Sequence, residues 1–240
     1  MKKYFKIFLL IVAFFIVVIP VYYLAVVIKA RIDTPKIINK ALNEKNITLE
    51  IKDLTKWQLD ALLAVEDPNF YNHNGVDLKT PGAGLTTITQ SLVKIYYFKK
   101  FKPGLAKLKQ TLIARFALNP LVSKGNQLKL FVNNIYLGNV NGKPVYGFDE
   151  AARVYYNKSF KKLSKDEYLS IIAMIIAPKN FNILTEPSAN AERTKRIKNV
   201  ISGEYKPKSL MDIYYGELEP ETQKGLAPAS YFKEIYRNKR

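Results

Sequence analysis

The 240-residue sequence predicts a mainly α-helical protein with an N-terminal transmembrane helix, and three features support this class. Residues 7–28 carry no charge. Further along, two T-x-x-Q patterns and an S-x-x-E pattern mark helix starts, because such pairs form capping boxes. Between these patterns, apolar residues recur three and four positions apart, which is the spacing of one helix face.

The uncharged run is long enough to cross a bilayer as a helix. A basic leader precedes it, and bulky rather than small residues occupy its exit, which favours an uncleaved signal anchor over a cleavable signal peptide. The leader predicts a cytoplasmic N-terminus, although Lys29 and Arg31 beyond the run weaken this positive-inside signal. We therefore expect a single pass through the inner (cytoplasmic) membrane, with the following domain outside the cytoplasm.

The charge balance restricts the partners. The chain has 38 Lys and Arg against 20 Asp and Glu, a formal charge of +18, which favours phospholipid headgroups, pyrophosphates or nucleic acid. The anchor disfavours nucleic acid, because the domain is expected outside the cytoplasm. The absence of cysteine excludes disulfides and thiolate metal sites, and the single histidine, His73, excludes a histidine-rich metal site.

The sequence predicts four segments. They are a leader and anchor (1–29), a polar connector (30–53), a helical domain (54–187) and a basic C-terminal extension of no legible role (188–240). Within the connector, an alternating segment from Ile47 to Ile51 predicts a short strand. Beyond it, helices are expected at about 55–66, 88–98, 105–116, 123–133, 148–156, 164–178 and 192–201. Residues 169–177 are apolar all round and favour a buried core helix over membrane contact.

Glu66 is the first candidate for chemistry. Pro68 disfavours α geometry in the residue before it, so the helix should end at Glu66 or Asp67. A carboxylate at the negative end of the helix dipole has a raised pKa and can exchange a proton near neutral pH, as glycosyl, acyl and phosphoryl transfer require. The alternative, a fraying helix end without a chemical role, stays open at this point.

Five sequence blocks extend the case for Glu66. They are EDPNFYNHNG (66–75), GLTTITQSLVK (84–94), KLKQTLIARFAL (107–118), the segment 124–138 ending in FVNNIYLG and continued by YGFDEAARVYYNK (146–158), and LSKDEYLSIIAMIIAPKNFN (163–182). In content and order they resemble the family 51 peptidoglycan glycosyltransferases, found as monofunctional transglycosylases and in class A penicillin-binding proteins. The first block fits EDxxFxxHxG completely. The resemblance covers roughly 54–187 and implies a lysozyme-like helical glycosyltransferase domain.

The resemblance implies a polymerase of lipid II. In the family, the Glu matching Glu66 is the general base that deprotonates a sugar 4-hydroxyl, which attacks the anomeric carbon of the growing chain while undecaprenyl pyrophosphate leaves. Basic side chains and a divalent ion, Mg²⁺ or Mn²⁺, then stabilise the leaving group. The implied substrate-binding candidates are Asp67, Thr87, Gln90, Lys94, Lys102, Lys107 and Asn133. For Asp67 a structural role is favoured, and Asn133 has the alternative of holding loop backbone.

Gln110 and Ala106 depart from the family pattern. Gln110 stands at the second catalytic Glu of RKxxE, Ala106 at its Arg, and Lys129 at the Glu of ILExYLN. An amide cannot ionise and is a poorer ligand for a hard divalent cation than a carboxylate, so no metal ligand is assigned and a divalent ion remains an open expectation.

Three hypotheses follow from these departures. The first is a glycan polymerase, the second a catalytically impaired relative that binds lipid II or wall-synthesis partners, and the third, least favoured, a lytic transglycosylase. The expected partners are lipid II, the growing glycan strand, the membrane and a transpeptidase on another protein, because few residues follow the fifth block.

Overall fold

A computed structural model describes residues 2–102 and 104–217, and this part of the chain is mainly helical, as predicted. The helices are α1 (Lys2–Leu42), α2 (Lys56–Glu66), α3 (Ile88–Tyr97), α4 (Leu105–Ile113), α5 (Asn119–Leu121), α6 (Lys124–Asn134), α7 (Phe148–Tyr156), α8 (Lys165–Met174) and α9 (Pro187–Ser202). Short 3₁₀ turns lie at Ile51–Asp53 and Phe160–Lys162, and a π-helical turn, Ala114–Leu118, joins α4 to α5.

Helix α1 has two parts with different surroundings. Among the described residues, α1 is the one helix that is long and apolar enough to cross a membrane. Its last turns bury Ala30, Thr34, Ile38 and Ala41, which recur at helical spacing and pack on α4, α6 and the π-helical turn. The first part of the predicted connector is therefore a continuation of the same helix.

The strand predicted from Ile47 to Ile51 is wrong. Residues 47–50 have no regular secondary structure, and Ile51 begins a 3₁₀ turn. The backbone N–H groups of Thr48 and Leu49 both donate to Asn133 Oδ1 at 2.9 Å, and Asn133 Nδ2 donates to the carbonyl oxygen of Leu49 at 2.8 Å. One side-chain amide on α6 thus supplies the hydrogen bonds that a neighbouring strand would otherwise provide.

Helix α8 forms the centre of the core, as predicted for the apolar run. Every residue from Tyr168 to Met174 is buried. The hydroxyl of Tyr168 donates to the carbonyl oxygen of Gln58 on α2 at 2.9 Å, and its ring lies 5.4 Å from that of Phe148 on α7. The helix ends at Met174 rather than at Pro178.

A hairpin and helix α9 complete the described body. Strands β1 (Tyr136–Val140) and β2 (Lys143–Tyr146) pair antiparallel around an Asn-Gly turn, which the sequence analysis missed although Asn-Gly is a strong hairpin signal. Helix α9 packs along α8 and reaches α2, with Ile197 fully buried. The boundary placed at residue 187 coincides with the first residue of this packed helix. Much of the predicted C-terminal extension, residues 218–240, lies outside the described residues.

Candidate active site

A pocket of about 350 Å³ lies between the end of α2, helix α3, the hairpin and α9. Its charged lining consists of Glu66, Lys94 and Arg193. The loop 82–86 forms one wall, and apolar side chains such as Ile176 contribute to the rest. The pocket therefore combines one carboxylate with two cationic groups in mostly apolar surroundings.

Local sequence signals place Glu66 at this pocket. Thr55 and Gln58 form the predicted capping box, since Thr55 Oγ1 accepts from the Gln58 N–H at 3.2 Å and Gln58 Oε1 accepts from the Thr55 N–H at 2.8 Å. Helix α2 then ends at Glu66, with Asp67 as its C-cap before Pro68. Because the capping box fixes the start of α2 and Pro68 fixes its end, Glu66 becomes the last helical residue and lies at the pocket.

Asp67 faces the protein rather than the pocket and is 1% exposed. Its Oδ1 accepts from His73 Nε2 at 2.8 Å, and its Oδ2 accepts from the N–H of Ile88, the first residue of α3, at 3.0 Å. The N–H of Gly75 donates to His73 Nδ1, so Nδ1 accepts and Nε2 is the ring nitrogen that donates to Asp67. This carboxylate joins the end of α2 to the start of α3 and so positions Glu66 against Lys94.

Thr87 and Gln90 are buried and form the second capping box. Thr87 Oγ1 donates to the carbonyl oxygen of Gly75 at 2.8 Å and accepts from the Gln90 N–H at 3.1 Å. Gln90 Oε1 accepts from the Thr87 N–H, while its Nε2 donates to Thr111 Oγ1 at 2.9 Å. Neither side chain lines the pocket, and both, like that of Asp67, use their hydrogen-bonding groups inside the protein, so substrate contact by these three residues stays a prediction.

The carboxyl of Glu66 has a strongly shifted pKa. Burial raises this pKa to about 7, Arg193 and Lys94 oppose the rise, and Asp67 adds to it. The direction agrees with the sequence prediction, but burial is the largest cause rather than the helix dipole. A carboxyl with this pKa can gain or lose a proton close to neutral pH.

Two lysines of the predicted set lie at the same pocket region. Burial lowers the pKa of Lys94 to about 8, and Glu66 opposes this change. Burial, with a smaller contribution from Lys94, lowers the pKa of Lys107 to about 8. Lys107 Nζ donates to the carbonyl oxygen of Leu85 at 2.6 Å and to Thr86 Oγ1 at 2.9 Å, so it holds the loop that forms the pocket wall.

Arg193 is the charged pocket residue that the sequence analysis missed. It is 3% exposed, its Nε donates to the carbonyl oxygen of Ala173 and its Nη1 to that of Ile213, both at 3.1 Å. Aromatic rings surround the guanidinium, the nearest being Phe181 at 5.3 Å. Arg193 lies four positions before Ile197, so the two residues share the buried face of α9. This spacing was the available sequence signal, but an arginine in a basic segment does not by itself indicate burial.

The structure does not bring Lys102 or Asn133 to the pocket. Lys102 is exposed and lines a separate cleft beside α1, with Tyr22 and Lys109. Asn133 is buried, and its amide is used by the Thr48–Leu49 backbone and by the carbonyl oxygen of Lys129. These contacts are those of the alternative role predicted for Asn133, a residue that holds loop backbone, while its contact with substrate stays a prediction.

The residues present do not fit the divalent ion that the resemblance implies. Among residues 2–102 and 104–217, no group of three or more His, Cys, Asp and Glu is placed to hold a metal. Gln110 is fully buried, does not line the pocket, and donates from Nε2 to the carbonyl oxygen of Gln90 at 2.6 Å. Mg²⁺ and Mn²⁺ favour carboxylate and water oxygens, and Glu66 is the only carboxylate that lines the described pocket.

The transglycosylase family model matches residues 34–202 of the chain. The chain belongs to this family. Among the relatives of this transglycosylase-family chain, penicillin-binding protein 1A of Pseudomonas aeruginosa is 31% identical over 183 residues, 71% of the chain and 22% of the relative. Penicillin-binding protein 1F of Bacillus subtilis is 31% identical over 172 residues, 66% of the chain and 23% of the relative. The match thus spans about a fifth of each relative's length.

Proposed function

We propose that this transglycosylase-family chain polymerises lipid II into glycan strands, with Glu66 as general base and undecaprenyl pyrophosphate as leaving group. The observation that supports this reaction is the pocket itself. It holds a carboxylate whose pKa is about 7 beside Lys94, whose pKa is about 8, and the buried Arg193. A base and cations that share one apolar pocket match the needs of a transfer from a pyrophosphate donor.

In the proposed step, ionised Glu66 takes the proton of the acceptor 4-hydroxyl. The oxygen forms a bond to the anomeric carbon of the growing chain, and the bond from that carbon to the pyrophosphate oxygen breaks with its electron pair. Because the hydroxyl attacks opposite the leaving group, the configuration at that carbon inverts. Negative charge grows on the pyrophosphate as the bond breaks, so protonated Lys94 and Arg193 stabilise the transition state more than the ground state.

The membrane position is part of the same proposal. Helix α1 would anchor the chain as a single pass in the cytoplasmic membrane, with the pocket on the outer side. The polyprenyl chain of the donor would then remain in the bilayer while its sugars enter the pocket. Cross-linking of the strands is assigned to a transpeptidase.

The decisive variant is Glu66→Gln, which keeps the shape and removes the base. We expect it to lower glycan-chain synthesis from purified lipid II in detergent by at least roughly 10³-fold, as loss of an essential proton acceptor would. Asp60→Asn is the matched control, because Asp60 lies on the exposed side of the same helix and pairs with Lys56. Retention of a tenth of the wild-type rate by Glu66→Gln would contradict the assignment of the base.

Stability gives a second readout for the same variant. Because folding raises the pKa of Glu66, the folded protein loses stability as pH rises from about 4.5 to about 7. Glu66→Gln lacks this loss, so its melting temperature should match or exceed that of the wild type at pH 8. If the wild type binds lipid II but forms no polymer with or without Mg²⁺, the chain is the impaired relative, as Gln110 at the second Glu position would suggest.

A further inference from the structure

Gln110 lies where the family resemblance places a second catalytic Glu, but its surroundings indicate a role other than catalysis. The side chain is fully buried on the face of α4 that packs on α3. Its Nε2 donates to the carbonyl oxygen of Gln90 at 2.6 Å. Its Oε1 has no hydrogen-bond partner among the described residues.

The orientation of this amide follows from its single partner. A carbonyl oxygen only accepts, so the group that faces Gln90 must donate, and exchanging the amide nitrogen and oxygen would set two oxygens against each other. An ionised carboxylate at position 110 would meet the same repulsion with a full charge added and no solvent contact. Only a neutral donor fits, either an amide or a protonated acid.

The bond connects α4 to the turn of α3 that carries Lys94. In an α-helix the N–H of residue i bonds the carbonyl of residue i−4, so the Gln90 carbonyl belongs to the turn that ends at Lys94. Thr111, next to Gln110, bonds the side chain of the same residue, because its Oγ1 accepts from Gln90 Nε2 at 2.9 Å. One turn earlier on α4, Lys107 holds the pocket loop through Leu85. Helix α4 thus fixes both α3 and the loop.

We propose that Gln110 is a positioning residue. It serves as a neutral hydrogen-bond donor that fixes the Lys94 turn, and neither binds a divalent cation nor transfers a proton. The activity part of this inference rests on the proposed function, whereas the stability part does not.

The test compares Gln110→Glu with Gln110→Met, which removes the donor at similar size. A folded Glu at position 110 should have a pKa above the unfolded value of about 4.3. Its melting temperature should therefore approach that of the wild type below this pH and fall as pH rises, while Gln110→Met should be lowered by an amount that does not depend on pH. A melting temperature of Gln110→Glu that follows the wild type at every pH would overturn the donor role, even if the wild type makes no polymer.

Activity separates positioning from simple destabilisation. We expect Gln110→Met to lower kcat about tenfold with a smaller change in KM, and Gln110→Glu to do the same at pH 7.5. Both variants should also shift the pH at which activity falls as Lys94 loses its proton. Gln127→Met is the matched control, because Gln127 is an equally buried amide on α6 that donates to the carbonyl oxygen of Val122 and accepts from the hydroxyl of Thr89, so its hydrogen bonds do not involve Gln90. It should lower the melting temperature and leave the pH of that fall unchanged. If Gln110→Glu is more active than the wild type and EDTA removes the gain, position 110 is a metal position and the proposal is wrong.

Discussion

Glu66 and Asp67 are neighbours in one motif, yet they belong to two regions with opposite properties. Asp67 lies in the junction of α2 and α3, where both of its oxygens accept from N–H groups and almost none of its surface is exposed. Glu66 lines the pocket, where burial raises its pKa to about 7. The polar groups of the junction are satisfied by hydrogen bonds within the protein, whereas the pocket holds an ionisable group whose pKa is about 7.

This difference separates the motif residues into two sets. A side chain whose hydrogen-bonding groups are all used inside the protein has none left for a ligand. Thr87, Gln90 and Asn133 share this property with Asp67, while Lys94 shares the pocket with Glu66. Substitutions in the pocket should therefore act on the reaction, and substitutions in the junction should act first on stability.

Lys94 offers the sharpest test of the pocket side. With a base of pKa about 7 and a cation of pKa about 8, kcat/KM should rise with pH through about 7 and fall through about 8, because Glu66 must be ionised and Lys94 protonated. Lys94→Met should lower kcat/KM by roughly 10²- to 10³-fold. Lys94→Arg should keep activity at higher pH, since guanidinium stays charged. A falling limb unchanged in Lys94→Arg would show that another group sets it.

Arg193 is expected to affect both the stability of the protein and the pKa of Glu66. Its hydrogen bonds to Ala173 and Ile213 hold α9 and the chain after it, and its charge lies close enough to lower the pKa of Glu66. Arg193→Met should lower stability by about 2–4 kcal/mol and raise the pKa of Glu66, moving the rising limb of the profile to higher pH.

A calorimetric melt and a pH profile measure the two effects of Arg193→Met separately. Lys195→Met, at an exposed position on the same helix, is the control and should change neither. A rising limb that stays in place in a folded Arg193→Met protein would limit Arg193 to a structural role.

Local signals explain what the sequence predicted well. Thr55, Thr87 and Ser164 start their helices with the capping boxes expected, because a cap involves residues only three apart. Glu66 was found because Pro68 ends its helix in the same short segment. These are contacts between neighbours in the chain, and the sequence order displays them directly.

Contacts between distant segments explain what the sequence missed. Arg193 reaches the pocket through the packing of α9 on α8. The segment at Thr48 does not form the predicted strand, because its backbone bonds the amide of Asn133, 85 positions away, instead of a neighbouring strand. The pKa of Glu66 depends mainly on burial, which is set by all the surrounding elements together. No local pattern in the chain records such partners.

Asp67→Asn tests the junction with a smaller expected effect on the reaction. An amide has one accepting oxygen, so its NH₂ group would face a donor, either His73 Nε2–H or the Ile88 N–H. His73 cannot adapt by moving its proton, because its Nδ1 already accepts from Gly75. We expect a loss of stability of about 1–3 kcal/mol and a loss of kcat of about tenfold at unchanged KM. An unchanged melting temperature with a raised KM would instead indicate substrate contact.

Lys102→Ala should have the smallest effect and decides whether lysines outside the pocket take part. The sequence placed Lys102 with Lys94 as a partner of the leaving group, but its side chain is exposed in the cleft beside α1. An exposed ammonium outside the pocket is screened by water and salt, so we expect kcat/KM to change by less than about twofold. Lys100→Ala, in the same cleft, is the matched control. If Lys102→Ala, but not Lys100→Ala, lowers kcat/KM as strongly as Lys94→Met does, substrate reaches this cleft and Lys102 belongs with the pocket residues.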